Sequence, residues 1–396
     1  MPTKRNIILA FLSIYREDSR IYYYKHSRQN GEIIEGVQSN EAAVKYILQN
    51  IAEREGNIDR IFLLVSKKVK RDIFAINNEN LPNNDILKRM GGRMDTLTFF
   101  KQRIMTDFSY ISEEKFATID YDEDKEGIDA VLTMAQQVRE YAEKEKIEPE
   151  SITMHADMTG GMRNATMLML AIMRLLKYKG FQAGKVLYAN FDKNKDRNNP
   201  NIIDDITDIY NIFDLIAGAE EFVRFGSVKA IQGYFNSQPN MDLSRECKHL
   251  VVAMDKFSEQ IKLCRADTFN NALGILGRAI VAFKQNERMT ATPQEKFFHE
   301  IAETIESKYA PVLRKNDDVI ATIKWCAENG YLQQALTIYT EQIPGYLKNR
   351  GFFSMDKDII ERAKKEQGHQ TIEYALFCRC QSNHFDKKVR NIVKYS

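Results

Sequence analysis

The sequence predicts an N-terminal α/β domain built on an open, mainly parallel sheet, followed by an all-α C-terminal domain. The chain has 396 residues, which is long for one compact core and favours two domains. About the first 200 residues alternate short β-rich runs with longer helical patterns, as expected for a parallel sheet covered by helices. Beyond Gly226 only helical patterns follow. We therefore expect residues 1–225, including a connecting helix, to form the first domain and residues 226–396 the second.

The sheet is predicted from short apolar runs, each bounded by polar or turn residues. An insertion after the first strand pairs two further short runs through Asn30-Gly31, whose left-handed backbone preference suits a hairpin turn. The first helix is expected to begin near Ser39-Asn40-Glu41, a capping signal. The predicted strands are Ile7–Ser13, Arg60–Val65, Phe116–Ile119, Ser151–His155 and Lys185–Ala189, with the insertion at Ile21–Lys25 and Glu32–Glu35.

Helical periodicity dominates from residue 202 onward. The polar segment from Asp192 to Pro200 predicts an exposed loop, and apolar positions at helical spacing then predict a rigid connecting helix over Ile202–Phe225. Such a helix is suited to couple the two domains. The later helices are predicted at Leu243–Cys264, Asn270–Phe283, Gln294–Tyr309, Asp318–Asn329, Leu332–Gln342, Lys357–Lys365 and Thr371–Tyr395.

Composition excludes a few classes of protein and identifies no partner. The formal net charge is +2, so a nucleotide or RNA site must be a local basic patch. The five cysteines are an odd number, lie in the C-terminal half and form no CxxC pair, which favours reduced thiols and a cytoplasmic protein. The apolar run Ile7–Leu12 is too short to span a membrane and has no signal-peptide cleavage site, so no membrane association is expected.

A glycine pair between a predicted strand and a predicted helix is the most informative motif. Gly160 and Gly161 allow a close backbone turn, and the amino end of the following helix favours an anion. Thr159 and Asn164 can add neutral hydrogen bonds, and Arg163 can add a forked contact to phosphate. The alternative is a plain strand-to-helix turn with Arg163 on a solvated face. No Gly-Lys-Ser/Thr sequence occurs, so an ordinary P-loop ATPase is unsupported.

The helix after this loop, Ala165 to Tyr178, is apolar nearly all round and must be buried on two sides. One side can face its own sheet. The other can face a second subunit, which would bring two copies of the glycine loop close to a two-fold axis and suit a symmetric ligand. Alternatively, neighbouring helices of the same chain cover it.

The segment Asp157–Asn164, followed by the long apolar helix and by Gly184-Lys185-Val186-Leu187-Tyr188, resembles the CARF sensor domain of type III CRISPR accessory proteins. The resemblance covers about the first 220 residues and includes Ser39-Asn40-Glu41-Ala42. Trp325-Cys326 and the segment Gln334–Tyr339 resemble the helical half of one branch, which is usually a HEPN ribonuclease domain. The resemblance implies a Rossmann-like, CARF-like first domain and a HEPN-like second domain.

The resemblance also implies a ligand and an assembly. The activator would be a cyclic oligoadenylate, either cyclic tetra-adenylate or cyclic hexa-adenylate, bound across the two-fold axis of a homodimer or higher oligomer, with no further cofactor. Its contacts carry over to Thr159, Gly160, Gly161, Arg163 and Asn164. Ser13 and Ser66, which lie at strand ends, are candidates by position and are equally ordinary strand-terminal hydroxyls.

A HEPN site implies metal-free cleavage of single-stranded RNA by one Arg and one His a few residues apart, with His for proton transfer and Arg on the phosphate. Arg379 and His384 satisfy this spacing. Arg390-Asn391 matches the family's Arg-Asn-x-x-x-His pattern more closely, but Tyr395 stands in place of the His, and a tyrosine hydroxyl has an ordinary pKa of about 10. A third pair, Arg362 and His369, also has a suitable spacing, but Gly368 predicts a loop there. His26, His155, His249 and His299 are expected to be structural or solvated, Phe297, Phe298 and Trp325 to be core residues, and no metal-ligand cluster is expected.

Three functional hypotheses remain open from the sequence. The first is a ribonuclease that cyclic oligoadenylate activates allosterically. The second is a sensor or assembly module with a degenerate HEPN scaffold, or a piece of a chain whose effector lies further on. The third is a sensor domain that slowly degrades its own ligand.

Overall fold

The computed structural model describes residues 5–15, 21–27, 32–52, 58–71, 73–75, 93–121, 127–161, 164–238, 241–264, 266–286, 292–313 and 318–351. The chain divides into two compact units, Met1–Tyr210 and Asn211–Ser396. The first is an α/β unit and the second is helical, which confirms the predicted fold class.

The α/β unit contains one eight-stranded mixed sheet in the order β3-β2-β10-β9-β8-β1-β4-β7. Five strands, β9, β8, β1, β4 and β7, run parallel to one another, while β10 is antiparallel to β9 and parallel to β2, which pairs with β3 in antiparallel fashion. The strands are β1 (Arg5–Phe11), β2 (Tyr22–His26), β3 (Ile34–Gly36), β4 (Ile58–Ser66), β7 (Phe116–Tyr121), β8 (Ile152–Asp157), β9 (Gln182–Ala189) and β10 (Asn201–Asp205), with β5 (Ile73–Ala75) and β6 (Arg93–Asp95) in a separate two-stranded sheet.

Helices cover both faces of the large sheet, which explains why its central strands are continuous apolar runs. The helices of this unit are α1 (Ser39–Ala52), α2 (Lys67–Arg71), α3 (Thr96–Asp107), α4 (Gly127–Glu145) and α5 (Ala165–Tyr178). One core joins α1 and α3 to the sheet face that carries Ile8 and Ala10 of β1. A second core joins α4 and α5 to the opposite face, which carries Ile7 and Leu9.

The structure confirms the five predicted strands and the two short strands of the insertion, while Asn30 and Gly31 lie outside the described residues. The predicted start of the connecting helix is wrong. Asn201–Asp205 forms strand β10, with buried and exposed residues alternating along it, because its paired neighbours β9 and β2 bury every second side chain. The helix, α6 (Thr207–Phe225), begins two residues after Asp205. The Asp205 carboxylate accepts a hydrogen bond from the Thr207 backbone N–H at 3.1 Å and so stabilises the start of this helix.

The second unit contains the rest of α6 and six further helices among its described residues, packed around one aromatic-rich core. The two predicted helices Lys357–Lys365 and Thr371–Tyr395 lie outside the described residues. The six helices are α7 (Lys229–Asn236), α8 (Arg245–Leu263), α9 (Ala266–Gln285), α10 (Pro293–Leu313), α11 (Val319–Glu328) and α12 (Leu332–Asn349).

As expected, Phe298 and Trp325 lie in this core, and Phe297 packs against it. Cys247, Cys264 and Cys326 are free thiols. Within the described part of the chain, no helix combines the length and the apolar character that a membrane crossing requires.

Candidate functional site

The glycine loop lies at the carboxyl edge of the sheet, between the end of β8 at Asp157 and the start of α5 at Ala165. In open α/β sheets ligands collect at this edge, where loops lead into helix amino ends. Gly161 and Asn164 are exposed, Thr159 is half-buried and Gly160 is buried. The loop therefore lies at the amino end of a helix, the position in which the sequence analysis expects an anion. Arg163, the predicted cationic contact, lies outside the described residues.

Gly160 packs so closely against neighbouring residues that no side chain fits there. A Cβ atom at this position would lie 1.9 Å from the Phe11 carbonyl oxygen and 2.1 Å from Asn40 Nδ2. The glycine is thus needed for the close approach of the loop backbone to the end of β1 and the start of α1.

Gly161 is needed for its backbone conformation. Its φ is +90°, a region that residues with a side chain rarely adopt. Its N–H donates to the Ser13 hydroxyl at 3.3 Å. Ser13, which follows β1, is therefore brought into the site by this contact.

Thr159 fixes the loop to its neighbours on two sides. Its backbone N–H donates to Asp157 Oδ1 at 2.9 Å, and its hydroxyl accepts from the Ala189 N–H of β9 at 2.8 Å. The hydroxyl also hydrogen-bonds to the Asp157 carboxylate, so that the side chain of Thr159 joins β8 to β9 beneath the loop.

Asn164 and Ser66 differ in their position relative to the loop and in their exposure. Asn164 is the residue before α5, its carbonyl accepts from the Leu168 N–H at 3.0 Å, and its exposed side chain makes no capping bond. Ser66 ends β4, is buried and pairs in the sheet with Tyr121. A hydrogen bond joins Ser13 to the loop, and the contact shown for Ser66 is its pairing within the sheet.

A buried pair, Asn40 and Asp157, lies beneath the loop and is not among the predicted site residues. Asn40 Nδ2 donates to Asp157 Oδ2 at 2.5 Å and to the Phe11 carbonyl at 2.8 Å, while Asn40 Oδ1 accepts from the Ser13 N–H at 2.8 Å. Burial raises the pKa of Asp157 to about 6, and the bonds from Thr159 and Asn40 oppose that shift. The carboxyl group of Asp157 therefore exchanges its proton closer to neutral pH than an ordinary aspartate does.

Next to Asn40, Glu41 forms a buried ionic cluster that anchors the start of α1. Its carboxylate pairs with Lys45 Nζ at 3.1 Å and with Arg103 Nε of α3, and it accepts the backbone N–H groups of Val37 and Gln38. Burial alone would raise the pKa of Glu41, but Lys45 and Arg103 outweigh burial and hold that pKa below its ordinary value. The cluster keeps α1 and α3 in fixed register beside the site.

The histidines of the α/β unit have structural contacts, as expected. His155 lies inside β8 rather than at its end, because β8 continues to Asp157. Its Nδ1 accepts from the Lys185 N–H at 3.0 Å and its Nε2 lies 3.2 Å from Asn6 Oδ1. Burial lowers the pKa of His155 to about 3, so the ring is neutral and bridges an irregular step of the β8–β9 ladder. His26 stacks on Tyr46 with ring centroids 4.2 Å apart.

In the helical unit, His299 Nε2 lies 3.0 Å from the Lys284 carbonyl, and His249 is exposed on α8. The predicted catalytic pair Arg379 and His384, the alternative Arg390 and Asn391, and the pair Arg362 and His369 all lie outside the described residues. Among the residues that are described, no His, Cys, Asp and Glu side chains cluster in a way that could hold a metal ion.

Helices α4 and α5 leave an apolar surface on the outside of the α/β unit. In α5, Met169 and Ile172 are buried in the core, but Met167 is 67% exposed. In α4, Ile128 is 71% exposed and Leu132 is 54% exposed. The amino ends of the two helices adjoin, since a Cβ at Gly127 would lie 3.1 Å from Leu168 Cδ2. The second apolar side predicted for α5 is thus partly covered by α4 and partly open.

Comparison with known proteins gives matches of structure and none of sequence. No family model matches the chain, and no curated protein matches it in sequence. A solved structure, Enterococcus italicus Csm6 bound to cyclic hexa-2′-fluoro-hexa-dAMP, matches 90% of this chain and 72% of its own, at 10% sequence identity and a TM-score of 0.34. Csm6 belongs to the CARF–HEPN family of CRISPR proteins that the sequence resembles.

Proposed function

We propose that the α/β unit binds a cyclic oligoadenylate at the Gly160 loop and that binding activates the helical unit as a metal-independent ribonuclease for single-stranded RNA. The observation that carries the proposal is the position of Thr159, Gly160 and Gly161 at the carboxyl edge of the sheet and the amino end of α5. Such a site favours phosphate, because the positive end of the helix dipole lies at the loop. In this proposal Arg163 adds the cation that a phosphate contact needs.

A two-fold symmetric arrangement would complete the binding site. Ile128, Leu132 and Met167 form an exposed apolar surface on α4 and α5, and α5 starts directly after the Gly160 loop. A homodimer that buries this surface would bring two such loops together, so that a ring of adenylates contacts both copies.

In the helical unit, we assign catalysis to Arg379 and His384. The 2′-hydroxyl of the RNA attacks the adjacent phosphorus and the 5′-oxygen leaves, which gives a cyclic phosphate end. His384 would move the proton, and Arg379 would neutralise the negative charge that grows on the phosphate. Activation requires that the ligand bind more tightly to the cleaving arrangement of the dimer than to the resting one.

The direct test mixes the purified chain with cyclic tetra-adenylate or cyclic hexa-adenylate and a fluorescent single-stranded RNA. We expect cleavage only with one of these ligands, and we expect His384→Ala to reduce the rate by at least about a hundredfold. His249→Ala, which removes an exposed histidine of α8, is the matched control and should cleave normally. If neither ligand binds by calorimetry, the proposed function is wrong.

The second candidate function is a sensor or assembly module without nuclease activity. Tyr395 favours it, since this residue stands where the family's pattern has a histidine. Tight ligand binding by the wild-type chain with intact RNA would support this function. Chromatography of the same samples measures whether the cyclic ligand is converted to a linear product. Such conversion would instead identify the sensor domain as an enzyme that acts on its own ligand.

A further inference from the structure

Asn40 connects three segments that have to meet at the ligand loop. Its amide group donates to the Phe11 carbonyl at the end of β1 and to Asp157 Oδ2 at the end of β8. Its carbonyl oxygen accepts from the Ser13 N–H, just beyond β1. All three bonds come from one fully buried side chain in the first turn of α1.

The chemistry of this position selects an amide. Two donors must face the carbonyl oxygen of Phe11 and the carboxylate of Asp157, and one acceptor must face the N–H of Ser13. Only a side-chain amide carries two N–H donors and a carbonyl acceptor. A carboxylate of the same shape would place oxygen against both oxygens, and an alanine would leave three buried groups without a partner.

The Gly160 loop rests directly on this amide. A Cβ at Gly160 would approach Asn40 Nδ2 to 2.1 Å and Asn40 Oδ1 to 2.6 Å, so the loop backbone lies against the side chain. On the other side, Ser13, whose N–H binds Asn40, uses its hydroxyl to accept the Gly161 N–H at 3.3 Å. Asn40 thus sets the height of the loop above the sheet and its distance from Ser13.

We propose that Asn40 is the positioning residue of the ligand site: it holds the ends of β1 and β8 in the one arrangement in which the Gly160 loop and Ser13 present their groups to the phosphates. This inference rests on the proposed function, since it assumes an anionic ligand at the loop. Asn40 itself does not touch the ligand, because the loop backbone covers it.

The test measures the affinity of Asn40→Asp and Asn40→Ala for cyclic tetra-adenylate and cyclic hexa-adenylate by calorimetry. We expect both variants to lose affinity on the order of tenfold to a hundredfold, because buried polar groups under the loop lose their partners. Asn40→Ala introduces no charge and is expected to fold even if Asn40→Asp does not.

A second measurement separates positioning from general loss of stability. Ile47→Ala removes a fully buried side chain from the same helix, away from the loop, and should lower the thermal midpoint by a similar amount. We expect this control to bind the ligand like the wild type at a temperature where all variants are folded. Equal loss of affinity in Ile47→Ala would overturn the positioning role.

The pH profile provides a readout that packing alone would not change. In Asn40→Asp, a proton shared by the introduced carboxyl group and Asp157 can restore one hydrogen bond as the pH falls from 8 toward 5.5. We expect the affinity of Asn40→Asp to recover in part over this range, and that of Asn40→Ala to stay low. If both Asn40 variants bind the ligand with the affinity of the wild type, the role of Asn40 is refuted. If the wild-type chain itself binds neither ligand, the proposed function is refuted.

Discussion

Gly160 shows how strongly a single residue can be constrained by its surroundings. A Cβ atom there would lie 1.9 Å from the Phe11 carbonyl oxygen. Because this oxygen belongs to the backbone, it cannot rotate away as a side chain could. We expect Gly160→Ala to displace the loop and weaken the binding of cyclic oligoadenylate by about a hundredfold or more, with a loss of unfolding free energy of roughly 1–3 kcal/mol. Calorimetric titration and thermal unfolding measure the two effects.

Gly233 is the matched control for that substitution. It lies inside α7, and a Cβ added there meets no heavy atom within 4 Å. Gly233→Ala should keep ligand affinity unchanged and stabilise the chain by about 0.5–1 kcal/mol, as expected for alanine in a helix interior. An equal loss of ligand binding in both variants would contradict a specific role for Gly160.

At the same scale, the sequence indicated the loop but not the side chain beneath it. Gly160 and Gly161 are visible as a pair because their residue type already implies an unusual backbone. Asn40 lies 117 positions before its partner Asp157, and in the sequence it looks like part of an ordinary capping signal. The local sequence pattern predicts the first turn of a helix. It does not predict that the ends of β1 and β8 meet that turn, because this contact forms only in the folded sheet.

At the scale of elements, apolar runs predicted the parallel strands because both faces of the sheet are covered. The same criterion failed for β10. Ile202 and Ile203 continue at helical spacing into Ile206 and Ile209, so the strand was merged with the helix that follows. What distinguishes β10 is its pairing with β9 and β2, and pairing between distant segments leaves no periodic signal in one strand.

Helices α4 and α5 carry the prediction that concerns assembly. If their exposed apolar surface is the dimer interface, the double substitution Leu132→Glu with Met167→Glu buries two unpaired carboxylates in that interface. Burial of an unpaired charge away from water is unfavourable and weakens the dimer. We expect the dissociation constant of the dimer to rise by at least about a hundredfold, and cyclic oligoadenylate to bind more weakly in parallel. Sedimentation equilibrium across a concentration series measures the first effect.

Lys144→Glu provides the control for added negative charge, since Lys144 is exposed near the carboxyl end of α4. This variant should stay dimeric. A double variant that sediments like the wild type would show that the interface lies elsewhere.

At the scale of the whole molecule, the α/β unit has a short hydrogen-bonded connection from the Gly160 loop to α6. The Thr159 hydroxyl accepts from Ala189 N at the end of β9, and three residues back along the same strand Val186 N donates to the Thr207 hydroxyl at 3.0 Å, where α6 begins. Ile206 N also donates to the Val186 carbonyl at 2.9 Å. A shift of the loop can therefore reach α6 through β9.

Thr207→Val keeps the shape of the side chain and removes the acceptor of this connection. We expect ligand affinity to stay within about twofold of the wild type, while the ligand-dependent rate of RNA cleavage falls about tenfold, which corresponds to roughly 1.4 kcal/mol of activation free energy. Thr106→Val, which removes an exposed hydroxyl bonded within α3, is the control. Full activation in Thr207→Val would exclude this connection as the route.

Because β10 runs against β9, the chain turns back at residues 190–200 and α6 departs roughly 10 Å inward from the rim where the adenylates would sit. Under the proposed function, the ligand contact at the Gly160 loop and the start of α6 thus lie on different stretches of polypeptide, joined by β9. The 190–200 turn can therefore vary while the departure of α6 from Val186 is retained.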